Sequence, residues 1–279
     1  MNREAREASL GYKLNLTIII LTNRNDQRFI RCLKSTQFAG EVLIFDYQSN
    51  NDWPALEKKY KFKVIKKDQA IINDFAKERN QTLKHAQNQW ILFLDSDEII
   101  EKDEAEKIEQ LISQNEADAF YLKRVDYFHG QKLNWGEVKN QQIIRLAKKD
   151  EVNCEAREGT LGYKIKFKRT VHEVAKINGT VKQSNITIKH FAHRSINEFF
   201  DSICTYAYLE AKYRSKIKVS KSEIIKELLF YPTGKFIVNY FVKLGFLDGW
   251  RGLVYATMMS LHSLIVRIYL VGMKDTVYD

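Results

Sequence analysis

The stretch WILFLDSDE, residues 90–98, places three carboxylates within four positions, directly after five consecutive apolar residues. An apolar run of this kind predicts a strand that is buried on both faces. The side chains of Asp95, Asp97 and Glu98 repel one another unless a cation balances them. Hard divalent cations such as Mg²⁺ or Mn²⁺ prefer oxygen ligands and can bridge them to phosphates. The stretch therefore indicates a metal site at the mouth of a sheet, and an acidic turn that starts a helix is the alternative.

Three more apolar runs precede this strand along the chain. They are LNLTIIIL (14–21), EVLIF (41–45) and FKVI (62–65). Helical spacing of apolar residues separates them at 28–36, 53–60 and 71–86, and Asp52 is expected to cap the second helix. A charged helix at 103–114 and a strand at 119–124 follow. This βαβαβαβα order predicts an α/β fold with a mostly parallel sheet flanked by helices.

The second half of the chain has a less regular pattern. Strand-like pieces occur at 142–146 and 186–190, and the pattern becomes helical from Ser195 onward. We therefore expect a flexible lead over residues 1–13, a catalytic domain over 14–194 and a helical C-terminal region over 195–279.

Composition narrows the classes of protein. The chain has 279 residues, 44% of them hydrophobic, which is enough for a sizeable core. Its three cysteines show no paired spacing and indicate reduced thiols of a cytoplasmic protein. Residues 1–13 are polar and predict no signal peptide. The longest uncharged run, 252–266, is expected to be too short to span a membrane. The net charge of +10 suits polyanions, although solvated faces explain most of it.

Polar residues also follow the other predicted strands, where ligands of parallel sheets collect. Thr22 and Asn23 follow the first strand. Asp46 follows the second and could accept hydrogen bonds from a ribose or a base, or could be an ordinary turn residue. Arg79 and Asn80 precede the acidic cluster by about fifteen residues, and the fork of donors on Arg79 suits a diphosphate. A surface arginine is the alternative.

The dipeptide His172-Glu173 pairs an imidazole with a carboxylate, a combination suited to proton transfer or metal binding. A chance pair on a loop is the alternative. His190 and His193 are expected to be structural. The sequence contains no nucleophile elbow, P-loop or GxGxxG motif, which argues against kinases and dinucleotide oxidoreductases.

At these positions the sequence resembles family 2 glycosyltransferases of the GT-A fold, in particular bacterial lipopolysaccharide core β-glucosyltransferases. The similar stretches are TIIILTNRND (17–26), VLIFDYQSNND (42–52), FAKERNQTLKHAQNQWILFLDSDE (75–98), TVHE (170–173) and GFLDGWRGLVYA (245–256). The third stretch is the most specific, because its Arg-Asn pair and its acidic cluster occur in register. The sequence differs from the family at Tyr47-Gln48, where small residues are usual.

The resemblance implies a role for each candidate residue. Donor binding would involve Thr22, Asn23, Asp46, Arg79, Asn80 and Asp95. The metal, Mg²⁺ or Mn²⁺, would be bound by Asp97 with His172, and Glu173 would be the catalytic base of an inverting transfer. The acceptor stretch 132–146 would contribute Trp135, Gln142 and Arg145. The implied partners are a UDP-sugar donor and a glycan or lipid-linked acceptor of cell-envelope polysaccharide or lipopolysaccharide synthesis.

Two other classes of function are open at this point. A nucleotidyltransferase can also place acidic metal ligands on an α/β sheet, but it usually has a glycine-rich loop after the first strand, and residues 22–26 contain no glycine. A non-enzymatic module that binds anionic membranes or nucleic acid could use the charge of +10, but no nucleic-acid motif is present.

The C-terminal residues 222–274 combine apolar and aromatic side chains at helical spacing with interspersed lysines and arginines. This mixture is typical of helices that lie on an anionic membrane surface. We therefore expect a peripheral protein at the cytoplasmic face of the cell membrane. Packing of these helices on the catalytic domain, or in a homodimer, is the alternative.

Overall fold

A computed structural model of the chain describes residues 13–70, 72, 74–161, 165–215 and 220–275, with the side chains of 156–174, 221, 274 and 275 left aside. The first half alternates strands and helices. The elements are β1 (Leu14–Thr22), α1 (Gln27–Ser35), β2 (Ala39–Asp46), α2 (Trp53–Lys59), β3 (Lys63–Lys66), α3 (Phe75–Leu83) and β4 (Trp90–Asp95). The predicted βα succession is confirmed. The lead expected over 1–13 falls outside the described residues, apart from Lys13, and stays a prediction.

Strands β1 and β4 are buried on both faces, as their continuous apolar runs predict. Alternate residues point to opposite sides of a strand, so each run contributes to two cores. Ile18, Ile20 and Leu92 pack with α1 and α2 on one side of the sheet. Ile19 and Phe93 pack on the other side with α3. The four strands β3-β2-β1-β4 are parallel neighbours in that order, so β4 is internal to the sheet.

The remaining strands extend this sheet beyond β4. They are β5 (Glu98–Ile100), β6 (Ala119–Phe128), β7 (Gln131–Lys132), β8 (Gln142–Lys148) and β11 (Val181–His193), with helix α4 (Lys102–Gln114) between β5 and β6. The order continues β4-β8-β6-β11-β5, and β8 is antiparallel to both β4 and β6. The expected α/β class is confirmed. The predicted parallel pairing holds for β3-β2-β1-β4, whereas the strands beyond β4 pair in both directions.

A two-stranded antiparallel hairpin, β9 (Val152–Leu161) and β10 (Ile165–Ile177), was not expected from the sequence. Its apolar residues alternate with lysines, arginines and glutamates, and so lack the continuous runs of the buried strands. Val152 and Cys154 at the start of β9 join the core beside α3.

Three helices form the C-terminal region: α5 (Ile196–Arg214), α6 (Lys221–Ile237) and α7 (Gly249–Asp275). A π-helical turn (Val238–Val242) and a 3₁₀ turn (Gly245–Asp248) join α6 to α7. The inner side of α7 packs on Phe128, Phe199 and Ile203. In the described part of the chain, Gly245–Met273 is long and apolar enough to cross a membrane, by length and composition alone. The expectation that no segment reaches this threshold is therefore wrong.

Candidate functional site

The carboxyl ends of the parallel strands bring three predicted residues together. Thr22 at the end of β1 lies directly opposite Asp46 at the end of β2, and Asp95 of β4 lies opposite Leu21 on the other side of β1. This arrangement follows from parallel pairing, which places all three strand ends at one edge of the sheet. The exposed residue Asn23 follows in the loop that begins there.

Two of these residues, Thr22 and Asp46, hold loops together. The Thr22 hydroxyl accepts a hydrogen bond from the backbone N–H of Arg24 at 3.0 Å. The Asp46 carboxylate accepts one from the backbone N–H of Ser49 and one from the indole N–H of Trp53, each at 2.9 Å. Asp46 is 5% exposed. Both of its oxygens therefore have partners within the protein, which fixes the loop between β2 and α2.

Asp95 is held between two arginines. Its Oδ1 accepts a hydrogen bond from Arg79 at 2.6 Å, and its Oδ2 pairs with Arg145 of β8. Burial raises the pKa of Asp95, but Arg145 and Arg79 outweigh burial and hold that pKa well below its usual range. Arg79 lies over the ring of Phe93 and is buried. The carboxylate is ionised, and its outer edge is accessible, since 32% of the side chain is exposed.

Glu98 lies fully buried behind Asp95. Its Oε2 accepts a hydrogen bond from the backbone N–H of Asp95 at 2.9 Å, and Arg145 is 3.6 Å from its Oε1. Burial, reinforced by the negative charge of Asp95, raises the pKa of Glu98. Glu98 therefore supports the turn that presents the two aspartates and has no exposed surface to offer a ligand.

Asp97 faces a different set of groups. Arg24 donates a hydrogen bond to its Oδ2 at 2.9 Å, and Nε2 of His190 is 3.6 Å from its Oδ1. Nδ1 of His190 lies 2.5 Å from Asp126, its direct neighbour across the β6–β11 pair. Burial lowers the pKa of His190, but Asp126 outweighs it and the net shift is upward. Asp126 therefore orients the ring so that Nε2 points to Asp97.

These groups fit a divalent cation. Asp97 would supply an oxygen ligand and His190, with Nε2 deprotonated, a nitrogen ligand; a carboxylate on the far ring nitrogen is the usual setting of a metal-binding histidine. Among the described residues, no three histidine, cysteine, aspartate or glutamate side chains form a complete cage. A cation that completes its coordination with diphosphate oxygens needs only one or two protein groups. Arg24 balances the charge of Asp97 from the other side.

Asn80 lies at the edge of the hairpin rather than at the strand ends. Its Nδ2 donates hydrogen bonds to Oδ1 of Asn153 at 2.9 Å and to the carbonyl of Cys154 at 2.8 Å, and its Oδ1 accepts from the N–H of Cys154 at 2.7 Å. Asn80 therefore attaches β9 to α3. The backbone of Glu173 lies opposite Ala156, next to a register shift in the hairpin. The side chains of His172 and Glu173 lie outside the described residues, and their roles stay predictions.

The three residues expected at the acceptor lie in different places. Trp135 is half-buried, donates its backbone N–H to Asp248 at 2.9 Å, and has Nζ of Lys139 3.8 Å from its ring centroid. Gln142 is exposed at the start of β8. Arg145 is buried against Asp95. The structure therefore joins Arg145 to the acidic cluster and leaves Trp135 in a separate loop.

Three charged residues at this site, Arg24, Arg124 and Asp126, were not singled out from the sequence, and His190, which was expected to be structural, lies beside them. Arg124 lies 3.5 Å from Asp126. The two lie two positions apart on the same face of β6, so a pair of opposite charges at i and i+2 of a predicted strand was a signal that sequence alone could have given. The partner of Asp126 could not be found in this way, because β11 lies far along the chain and its pairing with β6 is set by the fold.

Comparison with known proteins identifies the family. An uncharacterised glycosyltransferase of Rickettsia typhi is 21% identical over 249 residues, which are 86% of this chain and 80% of that protein. A TPR repeat-containing protein of Synechococcus elongatus is 32% identical over 117 residues, 42% of this chain and 27% of that protein. The crystal structure of S. aureus TarS 1–349 in complex with UDP-GlcNAc is similar with a TM-score of 0.42 and 16% sequence identity. The match covers 93% of this chain and 89% of that chain. The family model for glycosyl transferase family 2 matches residues 17–172, more than half of the 279 residues, and the chain belongs to this family.

Proposed function

We propose that this glycosyltransferase moves a sugar from a UDP-sugar to a hydroxyl group of a glycan or lipid-linked acceptor, with inversion at the anomeric carbon. The acceptor belongs to cell-envelope polysaccharide or lipopolysaccharide synthesis. The observation that carries the proposal is the pair Asp95 and Asp97 at the carboxyl end of β4, surrounded by Arg24, Arg79 and Arg145. Carboxylates and guanidinium groups at one sheet edge match the alternating charges of a metal–diphosphate unit.

The two aspartates have different roles in donor binding. Asp95 is fixed by two arginines and presents one accessible edge, which suits hydrogen bonds from the ribose hydroxyls. Asp97 and His190 would hold Mg²⁺ or Mn²⁺, and the ion, when bound, would neutralise the diphosphate. Arg24 can move from Asp97, to which it donates a single hydrogen bond, to the diphosphate, because the phosphate oxygens offer a bidentate partner with more charge.

The transfer is a single displacement. The acceptor oxygen bonds to the anomeric carbon while the bond from that carbon to the diphosphate oxygen breaks, and the nucleoside diphosphate leaves with the bonding electrons. The acceptor hydroxyl loses its proton to a carboxylate, for which we propose Glu173. Positive groups at the leaving diphosphate stabilise the charge that develops there more in the transition state than in the ground state.

Thermal stabilisation by a panel of nucleotide sugars, each with and without Mg²⁺ or Mn²⁺, tests the donor and metal assignments. A UDP-sugar with metal is expected to raise Tm, and Asp97→Asn is expected to abolish both the shift and the turnover while the protein still unfolds cooperatively. Asp103→Asn on the exposed surface of α4 is the matched control and should behave as wild type. The proposal fails if no nucleotide sugar stabilises the wild type, or if Asp97→Asn retains metal-dependent stabilisation.

A further inference from the structure

Exposed apolar side chains are concentrated at the junction of α6 and α7. Twelve of the nineteen exposed large apolar residues of the described chain fall between positions 229 and 253. We call them the apolar face: Leu229, Phe230, Tyr231, Ile237, Val238, Phe241, Val242, Leu244, Phe246, Leu247, Trp250 and Leu253. Phe230 is 75% exposed and Val242 69%. Exposed apolar residues on protein surfaces are usually scattered singly, so a cluster of this size marks a docking site.

Basic residues predominate in the chain segment of the apolar face. Residues 228–247 contain two lysines, Lys235 and Lys243, and no acidic residue. The neighbouring acids have partners within the protein: Glu137 pairs with Lys235 at 3.5 Å, Glu227 pairs with Arg267 at 2.8 Å, and Asp248 accepts backbone hydrogen bonds from Asn134 and Trp135. A second copy of the chain would bring lysines against lysines. Anionic lipid headgroups complement both the apolar and the cationic groups.

The inner side of α7 favours docking over spanning. Arg267 is buried against Glu227 and lies 3.9 Å from the ring centroid of Tyr231, both on α6. Val266 and Leu270 pack with residues of α5 and α6. Inserting α7 across a bilayer would separate it from these partners and place the charge of Arg267 in hydrocarbon, which is strongly unfavourable. A helix lying in the headgroup region keeps them all.

We propose that the apolar face docks on the surface of an anionic lipid bilayer, with Phe241, Val242 and Leu247 of the turns inserted and Lys243 at the headgroups. The turns are tied to the loop that carries Trp135. Gly136 donates its backbone N–H to the Lys243 carbonyl at 3.0 Å, and Nδ2 of Asn239 donates to Glu137 at 3.1 Å. Docking therefore places this loop at the bilayer, and its use there for a lipid-linked acceptor rests on the proposed function.

Vesicle flotation of the full chain tests the docking. We expect flotation with vesicles of phosphatidylglycerol and phosphatidylcholine, weakened by salt, and much less with phosphatidylcholine alone. Phe241→Ser/Val242→Ser should lower partitioning at least tenfold, and Lys243→Gln about fivefold at low salt. Phe200→Ser, which removes an exposed aromatic from α5, is the matched control and should float as wild type. The proposal is overturned if the wild type stays with the soluble fraction at low salt, or if the double variant floats normally.

Tryptophan fluorescence gives a second test that needs no destabilising variant. Trp250 is 48% exposed on the apolar face, Trp135 is half-buried in the loop that docking brings to the bilayer, and Trp53 and Trp90 are buried. Anionic vesicles should shift the emission of the wild type to the blue and brominated lipids should quench it. In a Trp135→Phe background, Trp250→Phe should lose most of both effects while the protein still floats. Floating protein without quenching by shallow bromine labels would place another surface at the membrane. A dimer that the double variant dissociates, with no vesicle binding, would assign the face to a second copy.

Donor-induced stabilisation of the same variants separates this inference from the proposed function. None of the substituted residues touches the strand-end site, so the double variant should keep the Tm shift with a UDP-sugar and metal. Loss of flotation with that shift intact is the expected result for the variant. A wild type that shows the shift but never floats overturns the docking alone.

Discussion

Asp95 and Asp97 are two residues apart and have different surroundings. Two buried arginines hold Asp95 in one orientation, whereas Asp97 contacts Arg24, which is more exposed, and His190. Removing the charge of Asp95 would leave Arg79 and Arg145 without their main partner in a buried setting, which is strongly destabilising. Loss of activity on mutation of Asp95 would thus report folding as well as binding, and Asp97 is the cleaner probe of donor chemistry.

Glu173→Gln is expected to lower turnover by about 10²- to 10⁴-fold, because the amide cannot accept the acceptor proton. Its size is unchanged, so donor affinity measured by Tm shift should stay at the wild-type value. Steady-state kinetics and donor titration of the same sample make the comparison. Glu137→Gln is the control, since Asn239 and Lys235 occupy that carboxylate. Normal turnover in Glu173→Gln together with a loss in Glu137→Gln would move the base to Glu137.

Sequence patterns predicted that the parallel strand ends meet, but they did not predict all of the side-chain contacts made there. Continuous apolar runs gave β1, β2 and β4, and the residues that follow them had to meet at one sheet edge. Tyr47 shows the limit of comparison by residue type: it differs from the family, yet it is fully buried and its hydroxyl donates to Glu78 at 2.5 Å. The contacts of Asp126 and His190 depend on the order of the mixed strands, which local patterns do not encode.

At the scale of elements, an ionic cluster joins the loop after β1 to the start of α5. Arg28 pairs with both Asp26 and Glu198, and Glu198 also accepts the N–H of Arg194 at 2.8 Å. Burial raises the pKa of Glu198, but Arg28 outweighs it, so the pKa is lowered in the folded state. The stabilisation is therefore present above the pKa of an unfolded glutamate, about 4.3, and is lost as pH falls through the lower folded value.

Glu198→Gln should accordingly lower the free energy of unfolding at pH 7, by about 0.5–1 kcal/mol because solvent screens this partly exposed pair. The difference from wild type should shrink as pH falls below about 4.3, because the wild type then loses the same interaction. Urea unfolding at pH 7 and at pH 4 or below measures both effects. Glu57→Gln, at an exposed position of α2, should leave stability unchanged at either pH. A deficit in Glu198→Gln that is constant with pH would mean that the loss is steric rather than ionic.

Attachment of the hairpin depends on Asn80. Asn80→Ala removes three hydrogen bonds between α3 and β9 and should cost about 1–3 kcal/mol. Amide hydrogen exchange should accelerate across β9 and β10 while β1 and β4 stay protected, and turnover should fall if Glu173 on β10 is the base. Asn153→Ala removes one of the three bonds and serves as the milder control. Equal protection of the hairpin in wild type and Asn80→Ala would show that other contacts hold β9.

At the scale of the whole molecule, the C-terminal helices belong to the same packed structure as the sheet. The end of β6, through Phe128, shares a cluster with Phe199 of α5 and is covered by Tyr255 and Met258 of α7. Asp248 also fixes the loop at Asn134. The helical region expected at 195–279 therefore packs on the sheet, and the proposed membrane docking would use only the side of it that faces away from the sheet.

A chain that ends at Ser215 should therefore fail to fold normally. It would lose α6 and α7 and expose the cluster around Phe128 and Phe199, and each such side chain contributes about 1.5–3 kcal/mol when buried. Several of these losses together approach the whole stability of a typical domain, about 5–15 kcal/mol. We expect aggregation or a non-cooperative thermal transition, measured by size-exclusion chromatography and calorimetry. A monomeric truncated chain with the wild-type Tm would show that α6 and α7 are an independent appendage.

If the truncated chain aggregates, its failure to bind vesicles carries no information about docking, because the exposed core would dominate its behaviour. The point variants of the apolar face leave that core covered, and they isolate the contribution of the surface.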